Sequence, residues 1–263
     1  MISKVLWLKY LSDFLEFIRY KVCISCLFLA ISGYLLRNSP SIDILFLSLS
    51  SFFLCAGVYA YNSITDKEED VINKEKISSL VLSKKGYVLV GVFIFIGLLF
   101  SLFLPVYSLF FAVMATASGV TYSYFRLKRY LLLKNVYTGF GVNLIFLMGA
   151  TAGVFVTSEI LSYYLLISIF ILIGSVISDL RDYEGDKALN IKTLPVRLGH
   201  NKTKYLVTFL LAVYTISLLF FTKVIILLPF SILMFFAVRS DKPSLAHSLS
   251  VYSLFSLAFW LVL

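Results

Sequence analysis

Long runs without a charged residue alternate with short charged segments along the whole chain. The runs cover residues 22–36, 44–65, 86–125, 135–158, 160–178, 205–222, 224–238 and 243–263. A helix needs roughly 20 apolar residues to cross a hydrocarbon core of about 30 Å, so most runs allow one crossing. The run 86–125 is long enough for two, and Pro105 predicts a break between them. The pattern therefore predicts an all-α polytopic membrane protein with nine transmembrane helices.

Composition supports this class. The 263 residues are 60% hydrophobic and 14% charged, with a mean hydropathy of +0.94. An ordinary soluble domain is nearer half apolar and a quarter charged. Cys23, Cys26 and Cys55 all fall within predicted helices, and no second pair or nearby histidine completes a metal site around the Cys-x-x-Cys spacing. We expect these cysteines to be packing residues.

The distribution of basic residues predicts the orientation. With nine helices, the N-terminus and the loops after the second, fourth, sixth and eighth helices share one side, which carries 21 of the 23 lysines and arginines. Only Arg37 and Lys223 fall on the other side. By the positive-inside rule the N-terminus is cytoplasmic. This asymmetry accounts for the net charge of +9, so the lipid bilayer is the expected partner and no nucleic acid is required. Residues 1–17 mix charged and apolar side chains, which predicts a short helix on the inner membrane surface.

Two inner loops, 66–85 and 179–203, are about 20 residues long, and both begin with acids at the end of a helix. In the first, Asn62, Asp66 and Asp70 are spaced i, i+4 and i+8, so they share one helical face. Glu68 and Glu69 point elsewhere on the same geometry. The corresponding positions after the second and sixth helices suggest a duplicated four-helix unit.

The second acidic segment contains Asp179, Asp182 and Asp186, with i, i+3 and i+7 spacing that again gathers three carboxylates on one face. Three carboxylates together at a membrane surface are costly unless a cation neutralises them. Oxygen ligands without histidine or cysteine favour a hard ion, and Mg²⁺ is usually held by a few carboxylates plus substrate phosphates. The two segments together therefore predict a Mg²⁺-bridged diphosphate site on the cytoplasmic side of a cell membrane.

These motifs resemble the UbiA superfamily of intramembrane prenyltransferases. Asn-x-x-x-Asp-x-x-x-Asp follows the second helix and Asp-x-x-Asp-x-x-x-Asp follows the sixth. The stretch SDLRDYEGDKALNIKTLPVRLG, residues 178–199, is most similar to the archaeal digeranylgeranylglyceryl phosphate synthase branch. Tyr124 and Lys128 match the family's Tyr-x-x-x-Lys element, and Phe17-Ile-Arg19 matches its opening before the first helix. The resemblance extends over nearly the whole chain, so we treat 1–263 as a single domain.

Three positions depart from the family pattern. The family usually has Asp directly after the first Asn, where this chain has Ser63. Its proline after the arginine of the opening element is Tyr20 here, and its Arg-Pro-rich segment is shortened to residues 73–77.

The resemblance implies a fold, a reaction and residue roles. It implies nine helices around a central cavity, and Mg²⁺-dependent transfer of an isoprenyl group from a prenyl diphosphate, such as geranylgeranyl diphosphate, to a lipophilic acceptor. That acceptor would be a glycerol-phosphate ether lipid or an aromatic quinone precursor. The implied Mg²⁺ ligands and catalytic acids are Asp66, Asp70, Asp182 and Asp186, with Asn62 and Asp179 completing the shells. The implied diphosphate contacts are Arg19, Lys76 and Lys128, while Tyr124 would stabilise the allylic cation.

Other polar residues are weaker candidates. Asn135 and Asn143 lie two turns apart in the fifth helix and are both candidates to face the cavity, where we interpret Asn135 as a substrate-binding residue. Lys134 either contacts phosphate or anchors its helix at the interface, and we favour the anchor. We interpret His247 as a packing residue without a partner and His200 as a surface residue.

Three alternative functions remain open from the sequence. A transporter would carry charges near the membrane midplane, whereas here the helix centres are free of charge. A CDP-alcohol phosphotransferase would need an Asp-Gly-x-x-Ala-Arg element, which is absent. A terpene cyclase of the same fold would differ only in using no acceptor.

Overall fold

The computed structural model describes residues 2–72 and 77–262, and this part of the chain is helical without any β-strand. The α-helices are α1 (Ile2–Phe17), α2 (Tyr20–Leu35), α3 (Asp43–Thr65), α4 (Lys67–Ile72), α5 (Lys84–Ser101), α6 (Val106–Tyr124), α7 (Leu133–Val136), α8 (Leu144–Ala150), α9 (Ser158–Arg181), α10 (Tyr183–Ala188), α11 (Leu194–Leu198), α12 (His200–Leu218), α13 (Leu227–Arg239) and α14 (Pro243–Val262). A π-helical turn, Tyr137–Gly141, lies between α7 and α8.

Each of the nine predicted spans contains at least one of these helices. In the described part of the chain, five helices are long and apolar enough to cross a bilayer: α3, α5, α6, α9 and α14. Helices α2 and α13 are apolar but shorter, at 16 and 13 residues. These findings support a multi-pass membrane protein, while nine crossings and the orientation stay predictions.

Local sequence signals account for several helix ends. Helix α5 ends at Ser101 and α6 begins at Val106, directly after Pro105, so the predicted break at this proline is confirmed. Residues 2–17 form the predicted N-terminal helix α1. Cys23, Cys26 and Cys55 are free and buried in α2 and α3, as expected for packing residues.

The helices are arranged around a central cavity. Helices α2, α3, α6, α9 and α14 and the α7–α8 segment supply its lining residues. Helix α5 packs on α3, and α12 and α13 pack beside α9 and α14, so these three helices stand outside the lining. The prediction of helices around a cavity is therefore confirmed, with six of the nine predicted spans forming the wall.

Two glycines allow α2 and α8 to cross at backbone contact. A Cβ added to Gly149 would lie 1.9 Å from the carbonyl oxygen of Ala30, and one added to Gly33 would lie 2.1 Å from the carbonyl oxygen of Phe146. Close approach of this kind through small residues is a common means of joining helices in membranes. Both glycines lie further along their helices than the last lining residues, Leu29 and Ile145, so the crossing closes the far end of the cavity.

Candidate active site

The two acidic segments fold in the same way. Helix α3 ends at Thr65, Asp66 forms the junction (φ −96°, ψ 4°), and the short helix α4 follows. Helix α9 ends at Arg181, Asp182 forms the junction (φ −93°, ψ 10°), and α10 follows. Each junction aspartate donates its backbone N–H to the carbonyl four residues earlier and accepts from the aspartate four residues later. The sequence symmetry is thus also a structural symmetry.

The first junction forms a buried polar cluster. Asp66 is only 7% exposed, and its carboxylate accepts hydrogen bonds from the amide of Asn62 (3.0 Å) and pairs with Lys128 (2.8 Å). The Asn62 amide also approaches the Ser123 hydroxyl at 3.4 Å. Lys128 reaches this position because Arg126 adopts a left-handed conformation (φ 49°) directly after α6, which turns the following segment back towards the end of α3.

Arg19 joins the first acidic segment to the start of α2. Its guanidinium donates to Asp70 Oδ2 (3.0 Å) and to the Ser63 hydroxyl (3.2 Å). Arg19 itself has a left-handed backbone (φ 50°) at the junction between α1 and α2. A left-handed non-glycine residue is costly, and such residues are frequent at functional sites. Ser63 therefore keeps a polar contact at the position where the family has a carboxylate.

In the second segment, Asp179 is fully buried and has two partners. Lys134 forms an ion pair with its Oδ1, and the Asn135 amide donates to its Oδ2 at 2.9 Å and to the Ser175 hydroxyl at 3.1 Å. A charge buried this deeply requires a partner and further hydrogen bonds. Both partners come from α7, so this short helix is fixed against α9 by the acid.

The junction residue Asp182 is held by its neighbour Arg181 through two hydrogen bonds of 2.7 and 2.8 Å. Burial alone would raise the pKa of Asp182, but the hydrogen bonds and the charge of Arg181 lower it below the usual value. This carboxylate is therefore ionised and available as a ligand at neutral pH.

Asp186 has a different environment. Its Oδ2 atom is buried without a hydrogen-bond partner. Burial raises the pKa of Asp186 to about 6; the charge of Lys134 opposes this shift, and the charges of Asp179 and Asp182 add to it. An unpartnered carboxylate oxygen beside two further carboxylates is an arrangement that a hard divalent cation would satisfy.

Among the described residues, no group of three or more His, Cys, Asp or Glu side chains could hold a metal ion by itself. Each acidic segment therefore offers an incomplete set of ligands. The donors are oxygen atoms, and Mg²⁺ typically takes one or two carboxylates and completes its coordination with water and substrate phosphates. The residues thus fit Mg²⁺ held together with a phosphate-bearing substrate.

Both helix ends border the central cavity, whose volume is about 340 Å³. Asn62 lines it from the end of α3, and Ser178 and Arg181 line it from the end of α9. Tyr122 of α6 also lines it, and the charges of both Asp66 and Asp179 act on its hydroxyl. The ends of α3 and α9 thus contribute residues to one cavity, while their carboxylates stand behind its lining.

The cavity becomes apolar away from these polar ends. Its deeper wall includes Leu29, Leu54, Val58, Ile145 and Phe170. From Leu54 to Asn62 along α3 is eight residues, which at 1.5 Å per residue is about 12 Å. An elongated apolar space with cations and carboxylates at one end suits an amphiphile with an anionic head.

Several sequence-based assignments differ from the structure. Tyr124 is 68% exposed, packs edge-on against Phe125 and stands outside the cavity lining. Its predicted alignment with Lys128 assumed a continuous helix, but α6 ends at Tyr124. Lys134 lines the cavity and pairs with Asp179, so its interpretation as an interfacial anchor is wrong.

Five further residues complete the comparison. Asn143 donates to the Tyr164 carbonyl and the Ser168 hydroxyl, both at 2.8 Å, and so joins helices instead of lining the cavity. Asn135 also stands outside the lining, because its amide is directed to Asp179 and Ser175, so its interpretation as a residue facing the cavity is wrong. His247 does line the cavity. Lys76 lies outside the described residues, and Glu68 is 66% exposed, consistent with its exclusion from the site.

Tyr122 and Ser123 were missed from the sequence. The available signal was the helical spacing of small and polar residues in α6, because Ala115, Gly119 and Tyr122 recur at i, i+4 and i+7 and all line the cavity. A face of this kind inside a membrane helix indicates a cavity wall.

Comparison with known proteins identifies the family. A model of the UbiA prenyltransferase family matches residues 26–261. The chain belongs to the UbiA prenyltransferase family. It is 30% identical over 213 residues to digeranylgeranylglyceryl phosphate synthase of Methanocaldococcus jannaschii, covering 78% of this chain and 74% of that protein. The resemblance drawn from the acidic motifs is confirmed, and the chain is a prenyltransferase.

Solved structures of UbiA homologues share the fold. A UbiA homologue from Archaeoglobus fulgidus bound to GPP and Mg²⁺ superposes with a TM-score of 0.76 at 16% identity, covering 95% of this chain and 99% of that chain. A structure described for digeranylgeranylglyceryl phosphate synthase in membranes gives 0.70 at 25% identity, covering 97% and 99%. These UbiA structures place the helical arrangement around the cavity within the known architecture of the family.

Proposed function

We propose that this prenyltransferase moves an isoprenyl group from a prenyl diphosphate of about geranylgeranyl length to the hydroxyl of a glycerol-phosphate ether lipid, releasing diphosphate. The observation that carries the proposal is one cavity lined by residues from both acidic helix ends, Asn62 beside Asp66 and Arg181 beside Asp182. The names of relatives such as the Methanocaldococcus protein support a glycerol-phosphate acceptor over an aromatic quinone precursor.

The acidic segments would hold Mg²⁺ through Asp66, Asp70, Asp179, Asp182 and Asp186, with Asn62 contributing its amide oxygen. When bound, Mg²⁺ neutralises the diphosphate and stabilises the charge that it gains on leaving. The orphaned oxygen of Asp186 supports this role, because a bound cation would give it the partner that it lacks.

Basic residues would bind the diphosphate directly. Arg19, Lys134 and Arg181 line the polar end of the cavity, and Lys128 lies behind it on Asp66. Each of the four pairs with an acid of the two segments. Charge-assisted hydrogen bonds from such groups to phosphate oxygens are strong. Lys76 is proposed as a further contact on sequence grounds alone. Asn135 would act indirectly by holding Asp179.

The cavity wall would position the prenyl chain and protect the reacting carbon from water. Tyr122 and Tyr137 line the cavity, and aromatic faces can stabilise an allylic cation as diphosphate departs. Tyr122 takes the role that the sequence pattern assigned to Tyr124. The π-helical turn that carries Tyr137 lies where such turns often occur, beside a functional site.

A product assay tests the reaction. Purified protein would be incubated with geranylgeranyl diphosphate, Mg²⁺ and a panel of acceptors, and the products identified by mass spectrometry. Formation of the prenyl ether with the glycerol-phosphate lipid supports the proposal, and transfer only to an aromatic acceptor contradicts the acceptor class. A hydrocarbon product from donor alone would instead indicate a cyclase.

We further propose that residues 1–263 form one domain that crosses the cell membrane nine times, with a cytoplasmic N-terminus and active site. The 21 basic residues on one side support this orientation. Reaction of Asn38→Cys and Glu184→Cys with an impermeant maleimide in sealed right-side-out vesicles tests it. We expect the reagent to label Asn38→Cys and not Glu184→Cys. Labelling of Glu184→Cys from outside would contradict the proposed orientation.

A further inference from the structure

His247 lies in the cavity wall at a place that neither acidic segment occupies. It belongs to the second turn of α14, and the ring lines the cavity together with Gly174 and Ser250. Helices α9 and α14 come close here, because a Cβ added to Gly174 would be 3.2 Å from the Ser250 hydroxyl. Since Ser250 donates to the backbone carbonyl of His247, this contact also fixes the turn that carries the imidazole.

The ring has one nitrogen without a partner. The Nδ1 atom of His247 is buried and makes no hydrogen bond to the described residues. A neutral imidazole carries a proton on one ring nitrogen and a free lone pair on the other. A buried polar atom left unsatisfied is costly, which indicates that a ligand supplies the partner.

The lining of the cavity contains no other suitable base. Among the described lining residues there is no carboxylate, and the remaining ionisable groups are arginine, lysine, tyrosine and cysteine side chains. Histidine is the side chain whose neutral form accepts a proton near pH 7. Most of the aspartates at the cavity's polar end are engaged with cations: Asp66 with Lys128, Asp179 with Lys134 and Asp182 with Arg181.

We propose that His247 Nδ1 hydrogen-bonds the acceptor's hydroxyl and takes its proton as the new ether bond forms. The proposal rests on the proposed function. In the step, the bond between the prenyl C1 and the diphosphate oxygen breaks, and its electron pair leaves with the diphosphate. The acceptor oxygen bonds to C1, and its proton moves to Nδ1, which forms an imidazolium.

The test compares three variants of the full-length protein in the prenyl transfer assay. His247→Ala removes the base, and His247→Gln keeps a polar side chain that cannot take up a proton. His200→Ala is the matched control, because His200 is the other of the two histidines in the sequence. Its ring packs against Tyr183 near the surface and lies close to Asp241. A thermal-shift assay measures the binding of a non-hydrolysable geranylgeranyl thiolodiphosphate with Mg²⁺, and so reports whether each variant is folded.

We expect His247→Ala and His247→Gln to lower kcat about 100-fold or more, the usual size of a general-base contribution. Binding of the thiolodiphosphate should stay unchanged, and added imidazole should restore part of the His247→Ala turnover. A kcat within threefold of the unmodified protein in either variant would overturn the proposal. Absence of transfer by the unmodified protein would instead overturn the proposed function itself.

Discussion

The ammonium nitrogen of Lys128 lies 2.8 Å from Oδ1 of Asp66, in a pair whose two side chains are nearly buried. This contact connects the segment after α6 to the end of α3, next to Asn62, which lines the cavity. Two elements that the sequence offered separately, an acidic motif and a basic residue 62 positions later, thus belong to one site.

The first prediction concerns this lysine. Lys128→Ala should raise the apparent KM for the prenyl diphosphate by about 10- to 100-fold, because a hydrogen bond to a charged group contributes about 1.5–3 kcal/mol. Steady-state kinetics with varied donor measure the effect. The exposed Lys192→Ala serves as a control and should leave KM unchanged. An unaltered KM in Lys128→Ala would exclude this residue from diphosphate binding.

The junction aspartates should be indispensable for turnover. Asp66→Asn and Asp182→Asn keep the side-chain shape but remove the charge that would hold Mg²⁺, so product formation should fall below detection. Gel filtration in detergent checks that the proteins remain folded. Glu68→Gln and Glu184→Gln, exposed acids in the same two segments, are matched controls and should be active. Full activity of either junction variant would contradict the proposal that these aspartates hold Mg²⁺.

In the absence of Mg²⁺, Asp186 should lower the thermal stability of the protein. Because its buried carboxylate oxygen lacks a partner, Asp186→Asn should unfold about 2–4 °C higher, as expected for a gain near 1 kcal/mol in a chain of this size. Mg²⁺ with the thiolodiphosphate should stabilise the unmodified protein more than this variant. Thermal unfolding with and without Mg²⁺ measures both effects. Equal stabilisation of the two proteins would remove Asp186 from the ligand set.

The two tyrosines at the end of α6 should differ. Tyr122 lines the cavity and Tyr124 is exposed, so Tyr122→Leu, which removes the aromatic face, should lower kcat/KM for the donor about 10-fold while Tyr124→Leu stays within twofold. The same donor-dependent kinetics compare them. A larger effect from Tyr124→Leu would favour the assignment made from the sequence motif.

The glycine crossing should be sensitive to a single methyl group. Gly149→Ala places a Cβ 1.9 Å from the Ala30 carbonyl oxygen, where only movement of a helix backbone could relieve the overlap. A loss of about 1–3 kcal/mol is typical of overpacking. Gly91→Ala, whose added Cβ meets nothing within 4 Å, is the control and should be neutral. Unfolding temperature in detergent compares the two.

Much of the fold was open to prediction because its cause is local. Charge-free runs and Pro105 specify where helices form and break, since both effects act within a single segment. The acidic motifs stand out by residue type and spacing, but the helices that carry them end just before Asp66 and Asp182, so a single helical face does not describe either motif. Tyr124 and Lys134 were assigned wrongly because both lie next to turns between helices. Arg126 and Leu132 adopt left-handed conformations in these turns, which helical periodicity does not predict.

The sequence by itself determined the class of protein and the two acidic segments, because these depend on residue type and on spacing along one chain segment. Only the tertiary structure decided which cations meet which acids, that Tyr122 and His247 reach the cavity, and that six of the predicted spans line it. Those relations join residues far apart in the chain, and they follow from how helices pack and turn, which composition and periodicity do not encode.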